Sequence, residues 1–340
     1  MQKPLARVAR HSVLMTARIS AIALAAFLVA SCGSDTADTP PRFSTVVVLG
    51  ASGADTGNRC GIAADPLCFP APPYAGRSTA TNVTSTANPG GRLYPQLIAA
   101  RYGAPLTASS AGGLNFAIGG ARTGVVPTDT VPATIPSMQS QLDQSLARLN
   151  YQFIAQTLFI VDGSAFGNNI RRTLELAATA SSPQAAQALV AGAIQQGAAD
   201  IGLILTRIYS LGVRHIVLSN ATDLSLHPAV VAAGPTAVAT ANAMSTNYNA
   251  ALQGLVIPQV LAASPGLNIY LINFGQVMAQ VFANPASFGI TNTAAPCYPF
   301  FSAPAAPPCA NPDQFFFWDE LHPSATVHAI AVQTATLPAP

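Results

Sequence analysis

The stretch Ser44-Thr-Val-Val-Val-Leu-Gly-Ala-Ser-Gly-Ala-Asp-Thr-Gly-Asn58 narrows the choice of fold more than any other part of the chain. A β-branched apolar run that breaks at Gly50, Gly53 and Gly57 reads as a buried parallel strand ending in a tight loop, with Ser52 just past the strand's carboxyl end. Open α/β sheets keep their chemistry at that end. Glycines in such a loop either admit a dinucleotide phosphate or expose a nucleophilic hydroxyl.

The residues that follow weigh against the phosphate. A dinucleotide fold needs a helix at once, its amino terminus facing the phosphates. From Arg59 to about Gly91 this chain instead carries Pro66, Pro70, Pro72, Pro73, Pro89 and Gly90-Gly91, which forbid long regular elements and predict an ordered excursion. A nucleotide-binding oxidoreductase is thereby disfavoured. Nucleic acid is a poor partner too, because only 8% of the residues are charged and the single lysine is Lys3.

Beyond the excursion, apolar strands and helical segments alternate. Helices are expected over Leu93–Arg101 and Thr134–Ala147, and strands over Gly112–Gly124 and Gln156–Val161. Two alanine-rich helices are expected within Leu174–Leu211, broken near Gly192 or Gly197. A strand at Arg214–Ser219, a helix over Pro235–Leu261, a last strand at Leu267–Phe274 and a terminal helix at Ser324–Thr334 complete the series. The alternation is that of a doubly wound α/β domain with a mainly parallel sheet. No segment resembles an interdomain linker, so residues 44–340 are expected to form one domain.

The amino terminus reads differently. Lys3, Arg7, Arg10 and Arg18 precede the apolar run Ile19–Ala30, too short for a spanning helix and suited to a secretory signal. The run ends Leu28-Val-Ala-Ser-Cys32-Gly, which resembles the bacterial lipobox, whose cysteine becomes the lipidated first residue. Residues 1–31 are thus expected to be a lipoprotein signal peptide and 32–43 a tether, giving an exported periplasmic or cell-surface lipoprotein held on a bacterial outer membrane. Export permits disulfides. With Cys32 assigned to the anchor, three connectivities remain for the other four cysteines, and the local pairs Cys60–Cys68 and Cys297–Cys309 are expected. A metal site is the weaker alternative, since neither pair has C-x2-C spacing.

Ser52 needs a base and a group to orient that base, because an alcohol is weakly nucleophilic until an imidazole takes its proton. Asp319-Glu-Leu-His322 offers both in one turn. Leu49-Gly-Ala-Ser-Gly-Ala-Asp-Thr-Gly-Asn58, Asn115-Phe-Ala-Ile-Gly-Gly-Ala121 and this carboxy-terminal block, in that order, resemble the GDSL or SGNH esterase and lipase family, in the branch reading F-G-D-S-L-S-D-T-G-N. The likeness covers nearly all of the exported domain. It implies a three-layer α/β/α fold, a triad of Ser52, Asp319 and His322, and no cofactor or metal.

The same likeness implies an oxyanion hole made of the N–H groups of Ser52 and Gly119 with an asparagine side chain. The third block is irregular here, and its register favours Asn168 with Asn169 as competitor. The family's aspartate beside the nucleophile is Ala51. That substitution keeps open a catalytically degenerate protein binding a lipid or glycan, next to an esterase of unspecified ester, including acyl lipids. Arg122, His227 and Trp318 are candidates for substrate contact. His215 is expected in the sheet, and His328 in a surface or packing position. A monomer is the default.

Overall fold

The computed structural model describes residues 43–62, 86, 88, 90–124, 135–150, 156–304 and 306–340. The expected signal peptide, Cys32, the tether as far as residue 42, and Cys68 lie outside the described residues. Strand β1, Thr45–Leu49, is apolar on both faces, as a strand covered on both sides must be. It pairs in parallel with β2, Thr157–Asp162, from Thr45 opposite Thr157 to Leu49 opposite Val161. Strands β3, His215–Ser219, and β4, Asn268–Ile272, extend the parallel sheet in the order β1-β2-β3-β4.

The pleat divides the apolar residues between two cores. Val47, Leu49, Phe159, Val161, Ile216 and Leu218 face one side. There they meet α2, Met138–Arg148, α3, Phe166–Ala178, α4, Pro183–Ser210, and α6, Pro235–Ala251. Val46, Val48, Leu158, Ile160, Val217 and Ile272 face the other. These meet α1, Tyr94–Arg101, α8, Phe274–Ala283, and α9, Ala325–Gln333. The result is the three-layer α/β/α arrangement expected. Two short helices, α5, Pro228–Ala232, and α7, Ile257–Ala263, fill the connections. Helix α4 is long and apolar enough to cross a membrane by length and composition, and it packs Ile201, Ile204, Leu205 and Ile208 into the first core.

Several elements depart from expectation for identifiable reasons. Helix α4 runs unbroken through Gly192 and Gly197, and the break falls at Ser182-Pro183, where the Ser182 hydroxyl accepts the Ala185 N–H. Gly197 is a packing residue: a Cβ there would lie 2.5 Å from the Phe166 ring. Helix α3 already starts at Phe166, ahead of the helical segment expected from Leu174, because Phe166, Ile170 and Thr173 bury one face. Helix α8 follows β4 directly, so Phe274 belongs to a helix, and α6 continues into α7 through a π turn at Leu252–Val256.

Strand β4 is also not the last. Strands β5, Asn292–Pro296, and β6, Phe315–Phe317, form a separate parallel pair. The expected strand within Gly112–Gly124 makes only isolated bridges, Val48 with Asn115 and Ala108 with Asn115. Its backbone does bond β1 and the loop beyond, through Val48 N–H to Leu114 O, Phe116 N–H to Val48 O and Ile118 N–H to Gly50 O. The Asn58 side chain takes the carbonyls of Asn115 and Ala117, which ends the ladder. The chain thus leaves β1 towards one side and returns for β2 on the other. A crevice opens at such a switch point, and Ser52 stands there.

Candidate active site

The loop after β1 is shaped by side chains bonding backbone. Asp55 accepts the N–H groups of Gly57 and Asn58 on Oδ1, at 2.8 and 2.7 Å, and that of Gly119 on Oδ2, at 2.8 Å. Asn115 returns the contact, donating Nδ2–H to Ala54 O at 2.7 Å. The first two sequence blocks therefore interlock, and Ser52 begins a 3-10 turn, Ser52–Ala54, held from beneath.

His322 reaches Ser52 from the other end of the chain. Its Nε2 lies 2.9 Å from Ser52 Oγ, and its Nδ1 lies 2.9 Å from both carboxyl oxygens of Asp319. Asp319 is buried, and Oδ1 also accepts the N–H groups of Leu321 and His322, each at 2.8 Å. A carboxylate with this many donors is a fixed acceptor, so it assigns the imidazole proton to Nδ1 and leaves Nε2 to accept from the serine. The turn is strapped from outside: Trp318 N–H donates to His322 O, His227 Nδ1–H to Leu321 O, and Ala229 N–H to Glu320 O. Strand β6 and helix α9 carry this turn between them.

Ser52 and His322 open on a cleft of about 160 Å³, comparable to a cavity that holds a benzene ring. Leu224, Phe274, Phe301 and Leu321 give it apolar walls, and Asn168, Arg59 and Arg171 supply polar groups. Asn168 donates Nδ2–H to Ala121 O at 2.8 Å from the first turn of α3. An amide nitrogen has two hydrogens, so a second donor remains on that atom. Asn169, one residue on, turns away and bonds Thr123 through both its oxygen and its nitrogen. The two asparagines are thus separated by helix geometry, with Asn168 alone lining the cleft.

Other candidate positions are redistributed. Gly119 lines the cleft, but its N–H is committed to Asp55; in the neighbouring Gly120, also on the cleft, no acceptor among the described residues takes the N–H. Gly120 holds φ +90°, a conformation suited to glycine. Arg122 is buried and stands outside the cleft lining, with its carbonyl capping α2 at Met138. Trp318 is also off the cleft, fully buried just past β6 beside Cys297 and Tyr298.

His227 does line the cleft, with Nε2 2.9 Å from the Thr222 hydroxyl and Nδ1 2.9 Å from Leu321 O. Burial, above all, pushes its pKa down to about 4. His328, expected in a surface or packing position, is buried on the cleft and stacked on Tyr94. His215 pairs with the Tyr270 hydroxyl across the sheet, outside the cleft lining.

Tyr94, Arg171, Phe274 and Phe301 line the cleft without having been singled out. Arg171 follows Asn168 by three residues on one helix, a spacing that would have pointed to it had α3 been recognised. Cys297 and Cys309 form the expected disulfide, closing the loop that carries Phe301. Cys60 is disulfide-bonded, with its expected partner, Cys68, outside the described residues. Among the described residues, no three His, Cys, Asp or Glu side chains cluster as metal ligands.

Comparison with known proteins identifies the family. The model of the GDSL-like lipase/acylhydrolase family matches residues 46–334. The chain is similar to the GDSL esterase/lipase At1g29660 of Arabidopsis thaliana, 29% identical over 135 residues, which cover 36% of this chain and 37% of that protein. It is also similar to the GDSL esterase/lipase At1g71250 of the same plant, 28% identical over 142 residues, or 38% of each chain. The matched stretches thus span well under half of these relatives.

Proposed function

The chain belongs to the GDSL-like lipase/acylhydrolase family, and from that premise we propose that it hydrolyses carboxylic esters through an acyl-enzyme on Ser52. The observation that carries the proposal is the chain of contacts Ser52–His322–Asp319 at 2.9 Å steps on an apolar cleft. His322 Nε2 takes the serine proton as Oγ attacks the ester carbonyl, and Asp319 stabilises the imidazolium that forms. The N–H groups of Ser52 and Gly120, with the second Nδ2–H of Asn168, meet the oxygen as its charge grows. His322 then protonates the departing alcohol, and water attacks the acyl-enzyme under the same base. The relatives' names, GDSL esterase/lipase, point to the same reaction class.

The amino-terminal sequence supports export with a lipid on Cys32, the domain beginning after a tether at residue 44. Mass analysis of the mature amino terminus in wild type and Cys32→Ala checks that arrangement; an unmodified wild-type Cys32 overturns it.

The activity itself is tested with nitrophenyl esters of increasing chain length and with a fluorophosphonate probe. Wild type should turn over and label, and Ser52→Ala should do neither. Equal turnover by the two proteins refutes the assignment.

A further inference from the structure

Two buried side chains from distant elements grip the peptide units immediately before Ser52. Gln141, on α2 and fully buried, accepts the Gly50 N–H on Oε1 at 2.7 Å and donates Nε2–H to the Gly50 carbonyl at 2.9 Å. Asp162, the last residue of β2 and also fully buried, accepts the Ala51 N–H on Oδ2 at 3.1 Å. Its Oδ1 accepts the hydroxyls of Ser219, at 2.9 Å, and of Ser164. The loop after β1 is thereby joined to the carboxyl ends of β2 and β3.

The approach is possible only because residue 50 is glycine. A Cβ at that position would lie 2.3 Å from Asp162 Cβ and 2.8 Å from Oδ2. Among the described residues no arginine or histidine pairs with Asp162; the Ala51 amide and the hydroxyls of Ser164 and Ser219 donate to it, and the Tyr94 hydroxyl stands beside it. Burying an acid without a cation is expensive, and an apolar residue of similar volume would cost the fold less. The compensation lies in what the carboxyl holds.

We propose that Asp162 and Gln141 are positioning residues, which fix the Gly50–Ala51 backbone and so aim the Ser52 hydroxyl at His322. The inference rests on Ser52 being the nucleophile. Neither side chain touches substrate, and their effect passes through the rigid peptide between them. Asp162→Asn preserves shape but leaves one acceptor oxygen; where that oxygen keeps the Ala51 N–H, the NH2 group faces the Ser219 and Ser164 hydroxyls, which must turn from donors into acceptors and lose their anchor on the carboxylate.

The test combines active-site titration by a fluorophosphonate with turnover of nitrophenyl butyrate per titrated site. A purely structural role would reduce the number of competent sites and leave each at full rate. Positioning predicts that Asp162→Asn lowers kcat per site by about 10- to 100-fold, with KM little changed. A per-site kcat within about twofold of wild type overturns the inference. Should Asp162→Asn give no cooperative melt, Ser219→Ala decides. It removes one of the donors to Asp162, so a several-fold loss per site supports positioning and an unchanged rate overturns it. Wild type that neither labels nor turns over would overturn the assignment of Ser52, and this inference with it. Wild-type labelling with an unaffected Asp162→Asn overturns the clamp alone.

Discussion

Lowering the pH from 7 to 5 should remove stability from this fold through His227, and the variant His227→Gln should be spared that loss. His227 is buried under the turn that bears Asp319 and His322, its ring bridging the Thr222 hydroxyl and the Leu321 carbonyl. Burial dominates its titration; the Leu321 hydrogen bond opposes that shift, the charge of His322 adds to it, and the pKa comes to about 4 from an ordinary 6.5. As the pH falls, the unfolded chain therefore gains a proton first. The contribution to stability is fully present above pH 6.5 and is lost progressively down to pH 4.

At about 1.4 kcal/mol per pH unit the complete loss is about 3 kcal/mol, of which about 2 kcal/mol falls between pH 7 and pH 5. Urea unfolding followed by circular dichroism at pH 7, 6 and 5 measures it. Other titrating groups are common to both proteins and cancel in the comparison. Wild type should lose about 2 kcal/mol more than His227→Gln over that interval. Parallel pH dependences of the two proteins would refute the reasoning, since the buried imidazole would then be protonating as freely folded as unfolded.

Three further outcomes are expected. Asp319→Asn should lower kcat by about 10⁴-fold while leaving the fold intact, because the amide no longer dictates which imidazole nitrogen carries the proton. Asn168→Ala should lower kcat by about 10²- to 10³-fold with little change in melting temperature; Asn169→Ala should do the reverse, costing about 1–3 kcal/mol of stability for the Thr123 groups it strands. Replacing Cys297 and Cys309 by serine should cost about 3 kcal/mol of stability. The same change should raise KM more than it lowers kcat, because the loop they close presents Phe301 to the cleft, a contact measured directly by steady-state kinetics.

The parts of this molecule that were legible in sequence are those where one residue type answers one local demand. β1 announces itself by its run of Thr45-Val-Val-Val-Leu49, and Ser182-Pro183 carries a helix start in plain view, whereas Gly192 and Gly197, which read as breaks, lie inside α4. Glycine was ambiguous because it breaks a helix and also admits a neighbour: Gly197 does the second, against Phe166. Asp319 and His322 were found because they share a turn. Asp162 and Gln141 were not, because their partners are backbone groups more than ninety residues away, at separations of 111 and 91, which leave no pattern in a linear reading. Trp318 and Arg122 were misplaced for a related reason. Apolar and basic side chains near a motif are as readily turned away from the cleft as into it: Trp318 packs beside Cys297 and Arg122 is buried outside the lining.

The contact between Ser52 and His322 spans 270 residues. On the proposed mechanism Ser52 therefore has its base only when β1 and the turn after β6 have come together. The proposed reactivity is thus a property of the joined domain rather than of any local segment, and covalent labelling during refolding would report when its two ends meet.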